Sequence, residues 1–303
     1  MKKTIVAAAI AAVVSAPAMA DVSISGFANQ EFTDKDGSTG WGASGFNADV
    51  VIKATEDLGN GMKATAKIHQ FTDTDNTSNS SLSDSAGGNT ADLSVTVSGD
   101  FGSITAGRFE PASEGVIDAF LNIDGSHDLD LENATENAIG RTNNGLAYTS
   151  PSMNGFTVSL GNYASASSTN DKDFDGASEI FVKYSNGPLM VMANSTEVDG
   201  GAEIQAIAAS YKMGDLEVRA MERSSNSGTS GAADIDLTFI GAKYKMGNNT
   251  FAIGTAESDT NSKDTDIISV THNLSKNTSI YIVQENVDAA NSDRTTFGIA
   301  QKF

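Results

Sequence analysis

The 303-residue chain carries 39 Asp and Glu against 19 Lys and Arg, a formal charge of -20, with 39% hydrophobic residues. Such acidity argues against nucleic acid as a partner, because phosphate contacts require clustered Lys and Arg. The absence of cysteine excludes disulfides and thiolate metal sites, so hydrogen bonds and packing must hold the fold.

Residues 1–20, MKKTIVAAAIAAVVSAPAMA, combine Lys2 and Lys3, an apolar core from Ile5 to Val14 and the small residues Ala18 and Ala20. This is the pattern of a cleaved secretory signal peptide, and its apolar run falls short of the roughly 20 residues of a membrane span. Cleavage after Ala20 leaves residues 21–303 as a single domain, with 17 bases against 39 acids and no internal linker or composition shift.

From there the chain is written in short alternating segments. Phe46, Ala48, Val50, Ile52 and Ala54 share one face, opposite Asn47, Asp49, Lys53 and Thr55. Leu93, Val95 and Val97 oppose Asp92, Ser94, Thr96 and Ser98, and Phe156, Val158 and Leu160 oppose Thr157 and Ser159. Period two predicts strands with one apolar face. The one window with helical spacing of apolar residues runs from Glu114 to Leu121.

The breakers between these segments alternate in kind. Tight turns fall at 58–61, 99–102, 150–155, 185–188, 213–215, 246–249 and 274–278. Longer polar connections fall at 33–44, 75–90, 109–140, 167–175, 198–201, 225–233, 259–263 and 288–292. Seven short turns and eight long loops join sixteen strands, the signature of an all-β, antiparallel up-and-down transmembrane β-barrel with long loops on the external side. A water-soluble sandwich would also alternate, but it would bury its apolar face, whereas here Asp49 with Lys53, Lys63 with Lys67 and His69, and Glu217 with Arg219 and Arg223 put charge on the opposite face. A soluble core of this length would also tend to split into domains. The last strand, TTFGIAQKF, ends on Phe303, which in such a barrel closes against the first strand and places its ring in an interfacial aromatic girdle.

At this point the motifs resemble the Gram-negative general, non-specific outer-membrane porins over nearly all of residues 21–303. FGIAQKF resembles the family's C-terminal signal, with Gly298 five residues before Phe303, read by the outer-membrane insertion machinery. KATEDLGNGMKA resembles a second hallmark, and SGDFGSITAGRF with GRTNNGLAYTSPSMNGF resembles the strands flanking the loop that folds into the barrel. The resemblance implies a bacterial outer-membrane location reached through the periplasm, among lipid and lipopolysaccharide. It also implies a homotrimer of sixteen-stranded barrels, each a water-filled channel for passive diffusion of ions and small hydrophilic solutes. The third loop, 109–140, would fold into the lumen, and the second, 75–90, would lean on a neighbouring subunit.

Loop 109–140 contains Glu110, Glu114, Asp118, Asp124, Asp128, Asp130, Glu132 and Glu136 without Lys or Arg. Charged constrictions set channel selectivity, so these acids are candidates for the pore lining. The family's basic wall cluster would map to Arg108 and Arg141. Arg141 points inward by parity, while Arg108 shares parity with Ile104 and Ala106 and would need a bulge to do so. Asp49 departs from the family, standing where the hallmark usually has arginine. An inward base has become an inward acid, and a cation preference follows.

Asp171, Asp173, Asp175 and Gly176 have the opening spacing of a calcium loop, but its twelfth position is Val182 rather than Glu, so no metal site is expected there. No cofactor is expected. An enzyme would need a nucleophile or acid pair beside a histidine, and His69, His127 and His272 sit in no such motif. A sugar-specific channel would show a row of lumen aromatics; the 7% aromatic content and the single Trp41 in the first loop provide none. A plugged structural or adhesive barrel remains compatible with the sequence.

Overall fold

The computed structural model describes residues 20–73, 90–123, 141–164, 176–226, 234–259, 264–288 and 292–303. Sixteen strands run in chain order: β1 Asp21–Lys35, β2 Gly42–Gly59, β3 Met62–Asp73, β4 Thr90–Gly99, β5 Gly102–Phe109, β6 Thr142–Thr149, β7 Phe156–Tyr163 and β8 Ala177–Asn186. They continue as β9 Leu189–Val198, β10 Ala202–Met213, β11 Leu216–Asn226, β12 Ile235–Met246, β13 Asn249–Ser258, β14 Thr265–Asn273, β15 Thr278–Val287 and β16 Arg294–Lys302. Among the described residues one helix, α1, covers Ala112–Leu121 between β5 and β6. Each strand pairs antiparallel with its neighbours in sequence, and β1 pairs with β16, so the sheet closes.

The period-two pattern sets which way each side chain points. Ile24, Ile52, Ile68 and Leu93 lie opposite one another across β1 to β4 and are all exposed, so they face outward. The same outward face carries Ile207, Ile240, Ile253, Ile268 and Ile282 round the far side. In water this would be an apolar patch well beyond the few hundred Å² of ordinary soluble surfaces. Against hydrocarbon it is the favourable face, and closure leaves no sheet edge to satisfy. Tyr148, Phe156, Tyr211, Tyr244, Phe251 and Phe303 face outward near the tight-turn end, forming one aromatic belt. Inward, hydroxyls pair across strands, as in Thr55 with Thr65 at 3.1 Å and Thr96 with Thr105 at 2.9 Å.

The long-loop end differs from expectation in two places. Residues 199–201 form a tight turn, closed by the Gly201 amide donating to the Val198 carbonyl at 3.0 Å, rather than a long connection. The first loop is reduced to 36–41, because β1 and β2 extend through polar residues. Strands can carry polar side chains past the apolar band because the ladder bonds depend on the backbone alone.

Closure is completed at the end of β16. The Phe303 amide donates to the Gly26 carbonyl at 2.9 Å and the Gly26 amide to the Phe303 carbonyl at 3.0 Å, with the Phe303 ring lying over Gly26. On the lumen side, the Tyr281 ring of β15 lies over Gly298 of β16, where any Cβ would collide with it. Crossing that glycine lets the Tyr281 hydroxyl reach β1, donating to Glu31 Oε1 at 2.5 Å and accepting from Asn29 Nδ2 at 3.2 Å. Glu31, Asn29 and Tyr281 are all buried. A Gly298→Val variant should therefore displace Tyr281 and lose about 1–3 kcal/mol through overpacking. Tyr281→Phe, which keeps the ring, should lose a similar ~1–3 kcal/mol by leaving buried polar groups short of a partner. Urea unfolding of the refolded protein in detergent reads both losses; an unchanged midpoint in both variants would remove this contact from the account of closure.

Candidate functional site

The site begins with α1, because a helix inside a barrel must bury one face against the wall. Pro111 precedes it and tolerates the helix start, where its missing N–H is not needed. Ser113, Ile117, Phe120 and Leu121 recur at helical spacing, and all four are buried. Ile117, Phe120, Leu121 and the following Ile123 pack on inward-facing Phe181, Met192, Met221, Leu237, Phe239 and Val283. Where the helix covers it, the lumenal wall from β8 to β15 presents these apolar side chains.

Charge fixes the two ends of the helix. Glu179 on β8 is 4% exposed and accepts from the Ala112 amide at 3.1 Å through Oε1, while the Ser113 hydroxyl donates to Oε2. A carboxylate there satisfies otherwise unpaired N–H groups and complements the positive end of the helix dipole. The last turn of α1 contains no base. Arg219 on β11 supplies one, its Nη1 donating to the Phe120 carbonyl at 3.4 Å and its guanidinium lying 5.7 Å from the Phe120 ring centroid.

A second cluster lies on the wall formed by β2 to β4. Asp92 on β4 is 1% exposed. Lys67 and His69 of β3 both approach it, Lys67 as an ion pair and His69 Nδ1 at 3.5 Å from Oδ2, while Arg141 Nε donates to Oδ1 at 3.2 Å. His69 Nε2 is in turn 3.2 Å from Asp49 Oδ2, and Arg141 Nη2 is 3.0 Å from Glu110 Oε1. The chain Asp49–His69–Asp92–Arg141–Glu110 therefore runs from β2 to the two ends of the segment that carries α1.

Of the sequence candidates, this cluster gathers Asp49, Glu110 and Arg141. Glu114 lies in the first turn of α1, half-buried at the flank of the packed face, three residues before Ile117 and seven before Leu121. Asp118 lies on the same helix, but its side chain is outside the described residues, as are Asp124, Asp128 and the 171–175 stretch. Arg108 pairs with outward-facing Leu93, so it keeps the outward parity, and its Nη1 donates to the Arg141 carbonyl at 3.0 Å. A register shift is present, between Gly107 and Phe109 on the β6 side, where Asn144 takes a positive φ of 57°.

Asp92, Glu179 and Arg219 belong to no motif. Parity alone puts them on the inward face, but their pairing depends on strand register and on where α1 lands. The inward aromatics Phe109, Tyr163, Phe181, Phe239 and Tyr281, not visible as a row in the sequence, are buried, whereas Phe27 and Phe71, both opposite Asp49, are half-buried. Among the described residues no cluster of His, Asp and Glu could hold a metal ion.

A family model described as Gram-negative porin matches residues 7–292. No curated protein sequence matches the chain. Among solved structures, the anion-selective porin from Comamonas acidovorans aligns with a TM-score of 0.69 at 20% identity, covering 94% of this chain and 100% of that one. OmpF of Salmonella typhi, in complex with daunomycin, aligns with a TM-score of 0.71 at 12% identity over 94% and 98%. An engineered variant of the Rhodopseudomonas blastica porin aligns with a TM-score of 0.73 at 16% identity over 93% and 100%.

The clamped helix has a direct test. In Glu179→Ala, hydrogen exchange at the amides of Ile117, Phe120 and Leu121 should accelerate by about tenfold or more, since losing a buried charged partner costs about 1–3 kcal/mol. Protection of β1 to β5 should be unaffected. Equal protection of α1 in parent and variant would mean that apolar packing alone holds it.

Proposed function

Since the chain belongs to the Gram-negative porin family and forms a channel of the bacterial outer membrane, we propose that it passes ions and small hydrophilic solutes by passive diffusion, with a preference for cations. The observation that carries the preference is Asp92. The two strong bases that approach it, Lys67 and Arg141, are both paired with it, and Arg141 also with Glu110. Their field toward the lumen is largely cancelled, while Asp49 and Glu114 add negative charge. The constriction in this reading is made by Asp49, Glu110, Glu114, Asp118 and Arg141, with Asp124 and Asp128 in the same loop, while Arg108 holds the Arg141 carbonyl from the outward side.

Further assignments extend this reading. Residues 1–20 are removed on export, leaving the 21–303 barrel. Gly298 and Phe303 form the signal read by the insertion machinery, supported by the close seats of Tyr281 on Gly298 and Phe303 on Gly26. A homotrimer is supported by the small outward side chains Gly26, Ala28, Ala48, Ala54, Ala64 and Ala66 on β1 to β3, which flank the apolar row of Ile24, Ile52 and Ile68 and allow close approach of another subunit, while lipid and lipopolysaccharide cover the remaining sectors.

Reversal potentials in a planar bilayer under a potassium chloride gradient test the preference. The parent should favour potassium, and Asp92→Asn should shift the permeability ratio toward chloride by roughly fivefold, the effect of about 1 kcal/mol from a unit charge at about 4 Å in water. Asp49→Arg should shift it in the same direction. An anion-preferring parent sinks the cation reading, and liposomes that fail to swell in sugar solutions sink passive diffusion itself.

A further inference from the structure

Beneath the C-terminal end of α1, toward the tight turns, the lumenal wall of β10 to β13 holds a cavity of about 440 Å³, within the range of about 300–1,000 Å³ typical of small-molecule sites. It lies apart from the Asp92 cluster, on the opposite arc of the barrel. Lys212, Lys243 and Lys245 line it from inward positions of β10 and β12, with Asn122 and Thr250 as hydrogen-bonding neighbours. For a chain with net charge -20, this is an unusual concentration of bases.

The local acids do not balance them. Glu217 is taken by Arg219, whose Nε lies 2.6 Å from Oε1. Lys212 and Lys243 share the other oxygen at 3.5 and 3.8 Å. Lys245 enters no ion pair among the described residues, and its amide donates to the Asp215 carbonyl at 2.9 Å. Four bases thus stand against two acids, Glu217 and Asp215. Lys53, Lys63, Lys183 and Lys302, also inward at the turn end, extend the positive field.

The geometry points to a binding site for a small phosphate-bearing solute, seated between Lys212, Lys243 and Lys245 and approached from the tight-turn end. Lysines are compact, mobile point charges suited to phosphate oxygens. A dianionic group would offset the mutual repulsion of the bases that crowd Glu217. The Phe120 carbonyl, at the negative end of the helix dipole, accepts from Arg219 and so opposes an anion less. Ile123, on the helix side, offers an apolar wall for the carbon part of such a solute. Binding stands on these residues alone; only access from the turn side rests on the open-channel reading.

Inorganic pyrophosphate is the probe. Calorimetric titration of the refolded protein in detergent should show saturable binding that weakens with added potassium chloride and falls at least tenfold in a Lys243→Gln, Lys245→Gln double variant, with circular dichroism confirming its fold. Lys35→Gln, at the long-loop end of β1 and away from the cavity, should bind as the parent does. In bilayers, pyrophosphate should interrupt the current when added at the turn side. Binding absent from the parent, or equal in the parent and the double variant, overturns the site. A silent bilayer with binding intact retires the open channel and keeps the site.

Discussion

In hydrocarbon, an unpaired backbone N–H or C=O costs several kcal/mol, so a sheet that crosses a membrane must have no edge. This constraint sets the rest of the molecule. It fixes the antiparallel order of the sixteen strands and makes the pairing of β1 with β16 obligatory. It also divides every strand into an outward residue and an inward one. Once closed, the barrel has a wall whose outer face answers to lipid and whose inner face answers to whatever fills the lumen.

The inner face has two characters because α1 lies on one part of it. Under the helix, β8 to β15 present Phe181, Met192, Met221 and Phe239 as a core would. Across from it, β2 to β4 present Asp49, Lys67, His69 and Asp92. A ten-residue helix would hold its shape poorly alone. Here its stability comes from the apolar wall and from opposite charges at its ends, Glu179 and Arg219. The helix therefore owes its place against the inner wall to the same two forces that stabilise ordinary domains, hydrophobic burial and capping.

Strand count, closure and the direction of most side chains were legible because period-two alternation is a local property. The helix was visible as a short apolar spacing from Glu114 to Leu121, though its true start at Ala112 depended on Glu179 from a distant strand. The site was only half legible. Asp49, Glu110 and Arg141 could be named from sequence, but the role of Asp92 arises from register, which places His69 directly opposite it and brings Arg141 across from the far end of loop 109–140. The short turn at 199–201 reads like its longer neighbours because its residues are equally polar. Arg108 shows the limit of parity: the irregularity lies on the neighbouring strand and leaves Arg108 facing outward.

Tyr281 belongs to β15, yet its hydroxyl is bonded to Glu31 on β1, so it spans β16 between them. The seam between first and last strands is the natural place for a barrel to unzip, since only there are neighbouring strands not joined by a turn or loop. Parting β1 from β16 must also break a buried bond held by a third strand. Loss of the fold is then slowed at its first step, and the lifetime of the barrel becomes a property of its rate of opening as much as of its equilibrium stability.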